Sequence, residues 1–194
     1  MINLNTKKGN IRKPHLALAF SAIIVPFAIM AEDLADFIKE AYKFNRWAGT
    51  TKTNYQKAVS DFQPKLSEIG LSSVRFKDSE IVPNGMNRRY IVSPPAQTNE
   101  VVDIRISCRN SIAAAQNSMM DFFSMCSAIQ PFPSGDALSI SVGDRCYLGY
   151  PTNTVTSIAF VRNTVFVDVT SRGTTNSVLP IATWLDNLIM GLSQ

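Results

Sequence analysis

The sequence predicts an α+β protein, with a mainly antiparallel sheet of about five to six strands and helices packed on one face. Apolar and polar residues alternate along residues 100–108 and 156–171, as they do in strands with one buried face. Apolar residues recur at helical spacing along residues 111–127 and 177–192. A polar break inside the second alternating stretch predicts a hairpin, whose strands run antiparallel. We expect both helices to cover the inner face of the sheet.

N-terminal helices are expected in addition to the sheet. Residues 32–48 place apolar side chains at helical spacing, and acidic residues in the first turn favour a helix because of its dipole. A second apolar stripe runs from Tyr55 to Ile69, but Pro64 lies inside it. Because proline breaks or kinks a helix interior, this helix is either kinked or ends early and restarts. We expect its aromatic residues to be core residues rather than a ligand cradle.

Short strand signals supply the rest of the sheet. The stretches 73–76 (SVRF) and 88–93 (RRYIVS) are rich in strand-forming residues, and PNG at 83–85 between them predicts a turn. The stretches 137–142 (ALSISV) and 145–150 (RCYLGY) flank a Gly-Asp pair and predict one bent strand or two. With the two alternating stretches, these segments bring the sheet to five or six strands.

The stretch 156–171 carries the most regular strand pattern in the chain. Arg162 and Asn163 are expected at the centre of its turn, although arginine at the first central position also leaves a three- or four-residue loop open. In the two-residue register one face is strongly apolar and belongs to the core, and the other face is mixed. The pairs on the apolar face are Phe160 with Val165, Ile158 with Val167, and Thr156 with Val169.

Four residues of this hairpin are candidate contact residues: Arg162, Asn163, Phe166 and Asp168. Arg162 at the tip is either an exposed group that grips an anionic ligand or a solvated turn residue, and the second interpretation is favoured. Phe166 and Asp168 lie on the mixed face. Asp168 is best explained as the cross-strand partner of an arginine, for which Arg105 is the candidate.

The N-terminus predicts a secretory signal peptide over residues 1–31. Residues 1–15 carry four basic residues and no acidic one, and an apolar run from Leu16 to Ala31 follows. We expect cleavage after Ala31 and a periplasmic or secreted bacterial protein. A retained membrane anchor is the alternative, but Pro26 interrupts the run, which is shorter than a span of about 20 residues. Membrane contact is expected only through this segment, if it stays uncleaved.

Removal of the signal peptide leaves residues 32–194, a length that suits a single α+β domain. Its first part, 32–70, is expected to be helical, and 71–194 to hold the sheet and two helices. The full chain has 19 basic and 15 acidic residues. Because four basic residues lie in the signal, the exported domain has 15 of each and no formal net charge. Nucleic acid is not expected as a partner, since it requires clustered lysine and arginine in excess.

The only histidine, His15, lies in the signal segment. The exported domain therefore lacks the imidazole base of Ser-His-Asp and Cys-His nucleophile systems. Histidine-based zinc or iron sites are excluded for the same reason. We predict no cofactor, no metal site and no catalytic residue.

The three cysteines are Cys108, Cys126 and Cys146. Export to an oxidising compartment makes a disulfide possible. Cys108 and Cys126 are separated by most of a predicted helix, more than about 20 Å, whereas a disulfide joins Cα atoms within about 7 Å. Cys126–Cys146 is therefore the candidate disulfide. Three buried free thiols that act as small apolar residues are the equal alternative.

Three aspartates, Asp103, Asp144 and Asp168, could converge on one face of the sheet. A glycosidase needs two carboxyl groups at a defined separation, with surroundings that split their pKa values. Scattered aspartates on wet strand faces are common, so a structural role is favoured for all three. A hydrolase would require a cleft that holds two carboxyl groups about 5–10 Å apart.

The C-terminal half resembles uncharacterised exported bacterial proteins in three motifs. They are GDRCYLGY at 143–150, IAFVRNTVFVDV at 158–169 and LPIATWLDNLI at 179–189. The resemblance extends from about Gly143 to Ile189. It implies a small α+β domain and brings no activity with it.

These observations together predict an exported, non-catalytic protein that binds an unknown protein or small ligand in the envelope or outside the cell. The absent histidine, the zero net charge and the lack of a catalytic motif support this prediction. One alternative is a carboxylate-dependent hydrolase acting on an envelope polymer. Another is an enzyme inhibitor that presents the loop at 83–89 or at 130–136 to its target.

Overall fold

The computed structural model describes six stretches of the chain, and the fold is stated for these. The expected signal segment lies outside them apart from Ala31, and so does residue 130 at the start of the 130–136 loop. The described residues are 31–71, 73–93, 101–126, 131–149, 154–172 and 177–194.

The fold class is α+β, as predicted. The described residues contain six strands, which form one antiparallel sheet. They are β1 (Ser73–Val82), β2 (Gly85–Ser93), β3 (Val102–Arg109), β4 (Arg145–Leu148), β5 (Ser157–Arg162) and β6 (Val165–Ser171). Their order across the sheet is β1-β2-β3-β6-β5-β4. The β1–β2 hairpin turns at Pro83-Asn84, where PNG predicted a turn.

Three α-helices accompany the sheet: α1 (Ala31–Ala41), α2 (Ile112–Met125) and α3 (Leu179–Leu192). Ser111 caps α2, because its side chain accepts a hydrogen bond from the amide of Ala114. None of the described helices is long and apolar enough to span a membrane.

The helices α2 and α3 lie on opposite faces of the sheet, not on one inner face as expected. Ile158 and Phe160 of β5 pack with α3, whereas Ala159 and Val161 of the same strand pack with α2. Neighbouring side chains of a strand point to opposite faces, so β5 is covered on both sides. The face that the sequence marks as mixed is apolar enough to require this cover, since Phe166 of β6 is buried there too.

The half of the sheet formed by β1, β2 and β3 is polar on the α2 side. On β3, alternate residues from Val102 to Cys108 are buried in the α3-side core, as predicted. Asp103, Arg105 and Ser107 therefore lie on the opposite face. The strand β1 is at the sheet edge, and nearly all of it is exposed. This polar half of the sheet holds the candidate site.

The first predicted helix is shorter than the stretch 32–48. It ends at Ala41, and Lys43 takes a left-handed backbone with φ 53° before a single 3-10 turn at Phe44–Arg46. The indole of Trp47 donates a hydrogen bond of 2.9 Å back to the carbonyl of Tyr42. This bend allows the buried Trp47 ring to pack in the core on the α2 side.

The predicted helix from Tyr55 to Ile69 is wrong. The chain is irregular there, and only Leu66–Ile69 forms a 3-10 turn. The backbone of Val59 exchanges two hydrogen bonds of 2.9 Å with the Thr164 side chain, so its groups are used outside the segment. The core prediction is confirmed for Phe62, which is buried together with Val59 and Leu66, whereas the other aromatic residue, Tyr55, is only half-buried. Burial at helical spacing here reflects contact with the sheet and not a helix.

The predicted strand at 137–142 is also wrong. A 3-10 turn at Asp136–Leu138 takes its place, followed by Ser139 with φ 57°. Only the second stretch of the pair, 145–150, contains a strand, which is β4. This short strand pairs with β5 and closes the far edge of the sheet.

Candidate functional site

The β5–β6 hairpin turns at Asn163-Thr164, one residue later than predicted. Phe160 pairs with Val167 instead of Val165, so each residue pairs two positions further along β6. Side chains alternate with a period of two, and the residues on each face are therefore those predicted. Asn163 has φ 53° at the first central position, a conformation that asparagine tolerates.

Arg162 is an interior residue, and both expectations for it, an exposed grip and a solvated turn residue, are wrong. It is 8% exposed, and its Nε and Nη2 each donate a hydrogen bond of 2.6 Å to the carboxylate of Asp186 on α3. Burial lowers the pKa of the guanidinium, but hydrogen bonds to Asp186 and Tyr55 outweigh this and raise it overall. Arg162 therefore stays charged inside the protein.

Asp144 is the second buried carboxylate beside this arginine. It is 1% exposed and lies 3.6 Å from Nη1 of Arg162. Its oxygens accept hydrogen bonds from the Tyr55 hydroxyl at 2.6 Å and from the amides of Lys52 and Asn163. Burial and the hydrogen bond to Asp144 raise the pKa of Tyr55 to about 12. We call Arg162, Asp144, Asp186 and Tyr55 the tip cluster.

Asn163 fastens the hairpin tip to two other segments. Its Nδ2 donates to the carbonyl of Lys57 at 2.7 Å and to the hydroxyl of Ser193 at 3.0 Å. The carbonyl of Ser193 in turn accepts a hydrogen bond from the amide of Gln56. Asn163 is 2% exposed, so the tip joins three chain segments and is not a free surface.

Asp168 and Phe166 lie on the α2 side of the sheet, and both are buried. Phe166 packs against Phe122 of α2, with ring centroids 5.7 Å apart. Asp168 pairs with Arg105 in the β3–β6 register, as expected for a cross-strand partner. Burial raises the pKa of Asp168 to about 7, although the charge of Arg105 and a hydrogen bond from Thr170 oppose this.

Three arginines surround one buried carboxylate on the same face. Arg89 binds Asp103 through two hydrogen bonds, 3.0 Å from Nε and 2.5 Å from Nη2. Nη2 of Arg172 and of Arg105 lie 3.4 Å and 3.6 Å from the Oδ2 atom of Asp103. Burial raises the pKa of Asp103, but these arginines outweigh it and hold the pKa below its ordinary value. We call Arg89, Arg105 and Arg172 the arginine cluster.

The expected convergence of three aspartates holds for only two. Asp103 and Asp168 share the α2-side face, and the charge of Asp103 contributes to the raised pKa of Asp168. Asp144 belongs to the tip cluster, which α3 covers on the other side of the sheet. Its position follows from the loop before β4, which the sequence pattern did not assign to a face.

A groove of about 360 Å³ lies on the polar half of the sheet, between β1–β3 and α2. Two cross-strand rows form its floor, and the register of the three strands defines them. The helix supplies the opposite wall with Asp121, Phe122 and Met125. The floor residues are Asp78, Arg89 and Arg105 in one row, and Glu80, Asn87 and Ser107 in the next.

Arg109 fixes the end of the groove near the start of α2. Its guanidinium donates to Ser118 on α2, to the carbonyl of Cys108 and to Asn87 on β2, at 2.8 to 3.0 Å. The hydroxyl of Ser107 donates to the same Asn87 oxygen at 3.0 Å. The side chains at this end are therefore held in place by one another.

The three cysteines are free thiols, and the candidate disulfide Cys126–Cys146 is not present. The side chain of Cys146 belongs to the α3-side core, whereas Cys126 follows α2 on the other face, so the sheet lies between them. Burial raises the pKa of each thiol, that of Cys108 to about 11. The cysteines are therefore neutral thiols at physiological pH.

Within the described stretches, no group of three or more acidic, cysteine or histidine residues is placed to hold a metal ion. Comparison of the chain with known protein families, with curated proteins and with solved structures gave no match. The resemblance of the C-terminal half to exported bacterial proteins remains a prediction.

The groove is the feature that sequence reasoning missed. Its floor joins Arg89 and Arg105, which are 16 positions apart and meet only because β2 and β3 pair in one register. The wet face of the alternating stretch 100–108 was a signal for half of it. The other half was in the stretch 88–93, where the first arginine is buried and the second, Arg89, faces the groove.

Proposed function

We propose that this protein is an exported, non-catalytic binding protein, and that the groove between β1–β3 and α2 is its binding surface. The observation that carries the proposal is the groove itself, a concave surface between the polar half of the sheet and the side of α2. Concave sites with a few fixed polar groups beside apolar side chains are typical of ligand binding. Here Arg89, Asn87 and Ser107 supply polar groups, and Phe122 and Phe166 supply apolar surface.

The groove is arranged so that little ordering accompanies binding. Arg89 is held by Asp103 through two hydrogen bonds, and Asn87 is held by Ser107 and Arg109. Side chains that are already fixed lose less conformational entropy when a ligand arrives. The proposed binding partner is a small ligand or a segment of another protein.

A groove-filling variant tests the proposal. Asp121 is exposed on α2 and lines the groove, so Asp121→Trp places an indole over it without removing a hydrogen bond. Ala113 is an exposed position on the same helix outside the groove lining, and Ala113→Trp is the matched control. A panel of sugars, amino acids, peptides and organic acids would be screened for ligands by thermal shift. Protein partners would be captured by pull-down from the cell envelope and the culture fluid.

The expected result is a ligand whose thermal shift is lost in Asp121→Trp and kept in Ala113→Trp. Equal binding by both variants would mean that any binding surface lies elsewhere. Equal loss in both variants would show that the loss does not depend on filling the groove. Either result would overturn the assignment of the groove.

Export is a separate part of the proposal. The basic segment followed by the apolar run up to Ala31 supports it. Expression of the full chain in a bacterial host should release a protein whose mass corresponds to a first residue at Glu32. Recovery of only the full-length chain, in the membrane fraction, would instead support a retained anchor.

A carboxylate-dependent hydrolase is the second candidate, favoured by one observation. Two aspartates on one sheet face have pKa values shifted apart, Asp168 upward to about 7 and Asp103 downward. Neither carboxylate lines the groove, however, and both are buried. Turnover of a glycan, ester or phosphate substrate that is lost in a folded Asp168→Asn variant would favour the hydrolase over the binding protein.

A further inference from the structure

We infer that the end of the groove at Arg105 is an anion site, which takes a carboxylate or phosphate group of the bound molecule. The inference rests on the proposed function, because it assigns a chemical class to the ligand of that groove. The arginine cluster carries it through its charge, and Arg105 carries it through its free donors and its place on the groove floor beside Arg89.

The arginine cluster brings positive charge to this end of the groove. Three guanidinium groups, those of Arg89, Arg105 and Arg172, face the carboxylates of Asp103 and Asp168. A positive excess remains within this group of five residues even when both carboxylates are ionised. Asp78, which opposes Arg89 from the other side, lies on the exposed edge strand β1. It increases when Asp168 is protonated, and burial favours the protonated form. An anion is therefore attracted to this end.

Arg105 also supplies hydrogen-bond donors. A guanidinium has five N–H donors. In the described part of the chain, Arg105 makes one ion pair, 3.6 Å long, and no hydrogen bond. Its side chain is 44% exposed and lines the groove. Arg105 therefore has donors available for a ligand in the paired geometry that carboxylates and phosphates accept.

Arg105 lies beside another arginine on the neighbouring strand. Arg89 and Arg105 oppose each other directly in the β2–β3 register. Like charges that face each other across two strands destabilise a sheet. Asp103 relieves Arg89 through its two hydrogen bonds, but its contact with Arg105 is long. Asp168 opposes Arg105 from β6, but burial favours its neutral form, which does not offset the arginine charge. An anion bound at Arg105 would relieve the repulsion that remains.

The opposite side of the groove limits the ligand to one anionic group. Asp78 and Glu80 on β1 lie two strands from β3, about 10 Å away at the usual strand spacing, and Asp121 faces them from α2. A polyanion long enough to fill the groove would meet these carboxylates. The geometry instead suits a molecule with one anionic group at the Arg105 end and a neutral or cationic remainder.

The test uses simple anions as probes. Backbone amide spectra of the protein would be recorded by NMR during titration with sodium phosphate and, separately, with sodium acetate, at constant ionic strength kept with sodium chloride. Phosphate and acetate distinguish the two sources of the anionic group. Arg105→Gln is the test variant, and Arg46→Gln, at an exposed arginine outside the groove, is the matched control.

The expected result is a saturable shift of the amides around Arg105 and Arg89 with at least one of the two anions. Arg105→Gln should weaken binding of the anion at least tenfold, and Arg46→Gln should change its affinity less than twofold. Arg105→Lys keeps the charge without the paired donors and should lie between them. It also supplies a folded variant if Arg105→Gln is unstable. Absence of saturation, or equal weakening in both glutamine variants, would overturn the inference.

Failure of this inference is distinguishable from failure of the proposed function. A neutral ligand that Asp121→Trp blocks, with no response to phosphate or acetate, would retain the groove and overturn only the anion site. Loss of the assignment of the groove in the Asp121→Trp experiment would remove the basis of both.

Discussion

Arg162 lies inside the protein between two carboxylates, Asp186 at 2.6 Å and Asp144 at 3.6 Å. Breaking such a pair from one side leaves a buried charge without compensation. We expect Arg162→Ala to lower the free energy of unfolding by about 3–5 kcal/mol, measured by urea denaturation. Arg46→Ala, at an exposed arginine, should stay within about 0.5 kcal/mol. Similar losses in both would show that the ion pairs contribute little.

Asp168 makes stability depend on pH in the direction opposite to most carboxylates. Its pKa is about 7 in the folded protein and about 3.9 when unfolded, so the folded state holds the proton longer. The stability it contributes is complete below about pH 4 and is lost as pH rises to about 7.

Asp168→Asn removes this loss. The free energy of unfolding of the variant relative to wild type, measured by chemical denaturation from pH 4 to pH 8, should rise with pH by a few kcal/mol and level off above pH 7. Asp103→Asn is the contrasting control. The arginines lower the pKa of Asp103, so its contribution is lost only below about pH 4, and its difference from wild type should stay nearly flat from pH 4 to pH 8. A flat difference for Asp168→Asn would contradict the raised pKa.

At the scale of elements, the pairing of β2 with β3 depends on a glycine. Gly85 has φ 148°, and a Cβ built there would lie 1.9 Å from the carbonyl oxygen of Cys108 on β3. We expect Gly85→Ala to lower the free energy of unfolding by at least about 1–3 kcal/mol, as overpacking does. A Cβ added at Gly191 in α3 meets no atom within 4 Å, so Gly191→Ala should raise the free energy of unfolding by about 0.5–1 kcal/mol. Thermal unfolding of the two alanine variants should shift in opposite directions.

Strands and helices with a regular hydrophobic period could be predicted from the sequence. Segments whose conformation depends on contacts with distant residues could not. The alternating stretch 100–108 and the helices near 111–127 and 177–192 occur close to their predicted bounds. The stretch from Tyr55 to Ile69 has helical spacing but no helix, because Thr164 takes the backbone hydrogen bonds of Val59. Periodicity records which residues are buried, and it does not record what covers them.

The candidate site was predictable only at its single strands. The wet face of β3 and its pairing of Arg105 with Asp168 follow from alternation. Burial of Arg162 does not, because an arginine at a turn gives no sign that Asp186, 24 residues later, will reach it. Long-range contacts of this kind depend on the assembled fold, so the sequence pattern placed the hairpin tip in solvent.

At the scale of the whole molecule, the sheet is a partition between two cores. Cys146 lies on the α3 side, and Cys126 lies at the end of α2 on the other. We expect the protein to keep three free thiols under oxidising conditions. Intact mass spectrometry after alkylation in denaturant should find three modified cysteines, and a reductant should leave the melting temperature unchanged. A mass 2 Da lower with one modified cysteine would show that a disulfide forms.

The tip cluster also has a consequence for the order in which the protein assembles. Its members Tyr55, Asp144, Arg162 and Asp186 come from four separate parts of the chain, up to 131 positions apart. Contacts between distant positions form late, because closing long loops costs entropy before any contact rewards it. Arg162→Ala should therefore speed unfolding and leave the refolding rate nearly unchanged. The ion pairs then form after the folding transition state and slow the unfolding of the native protein.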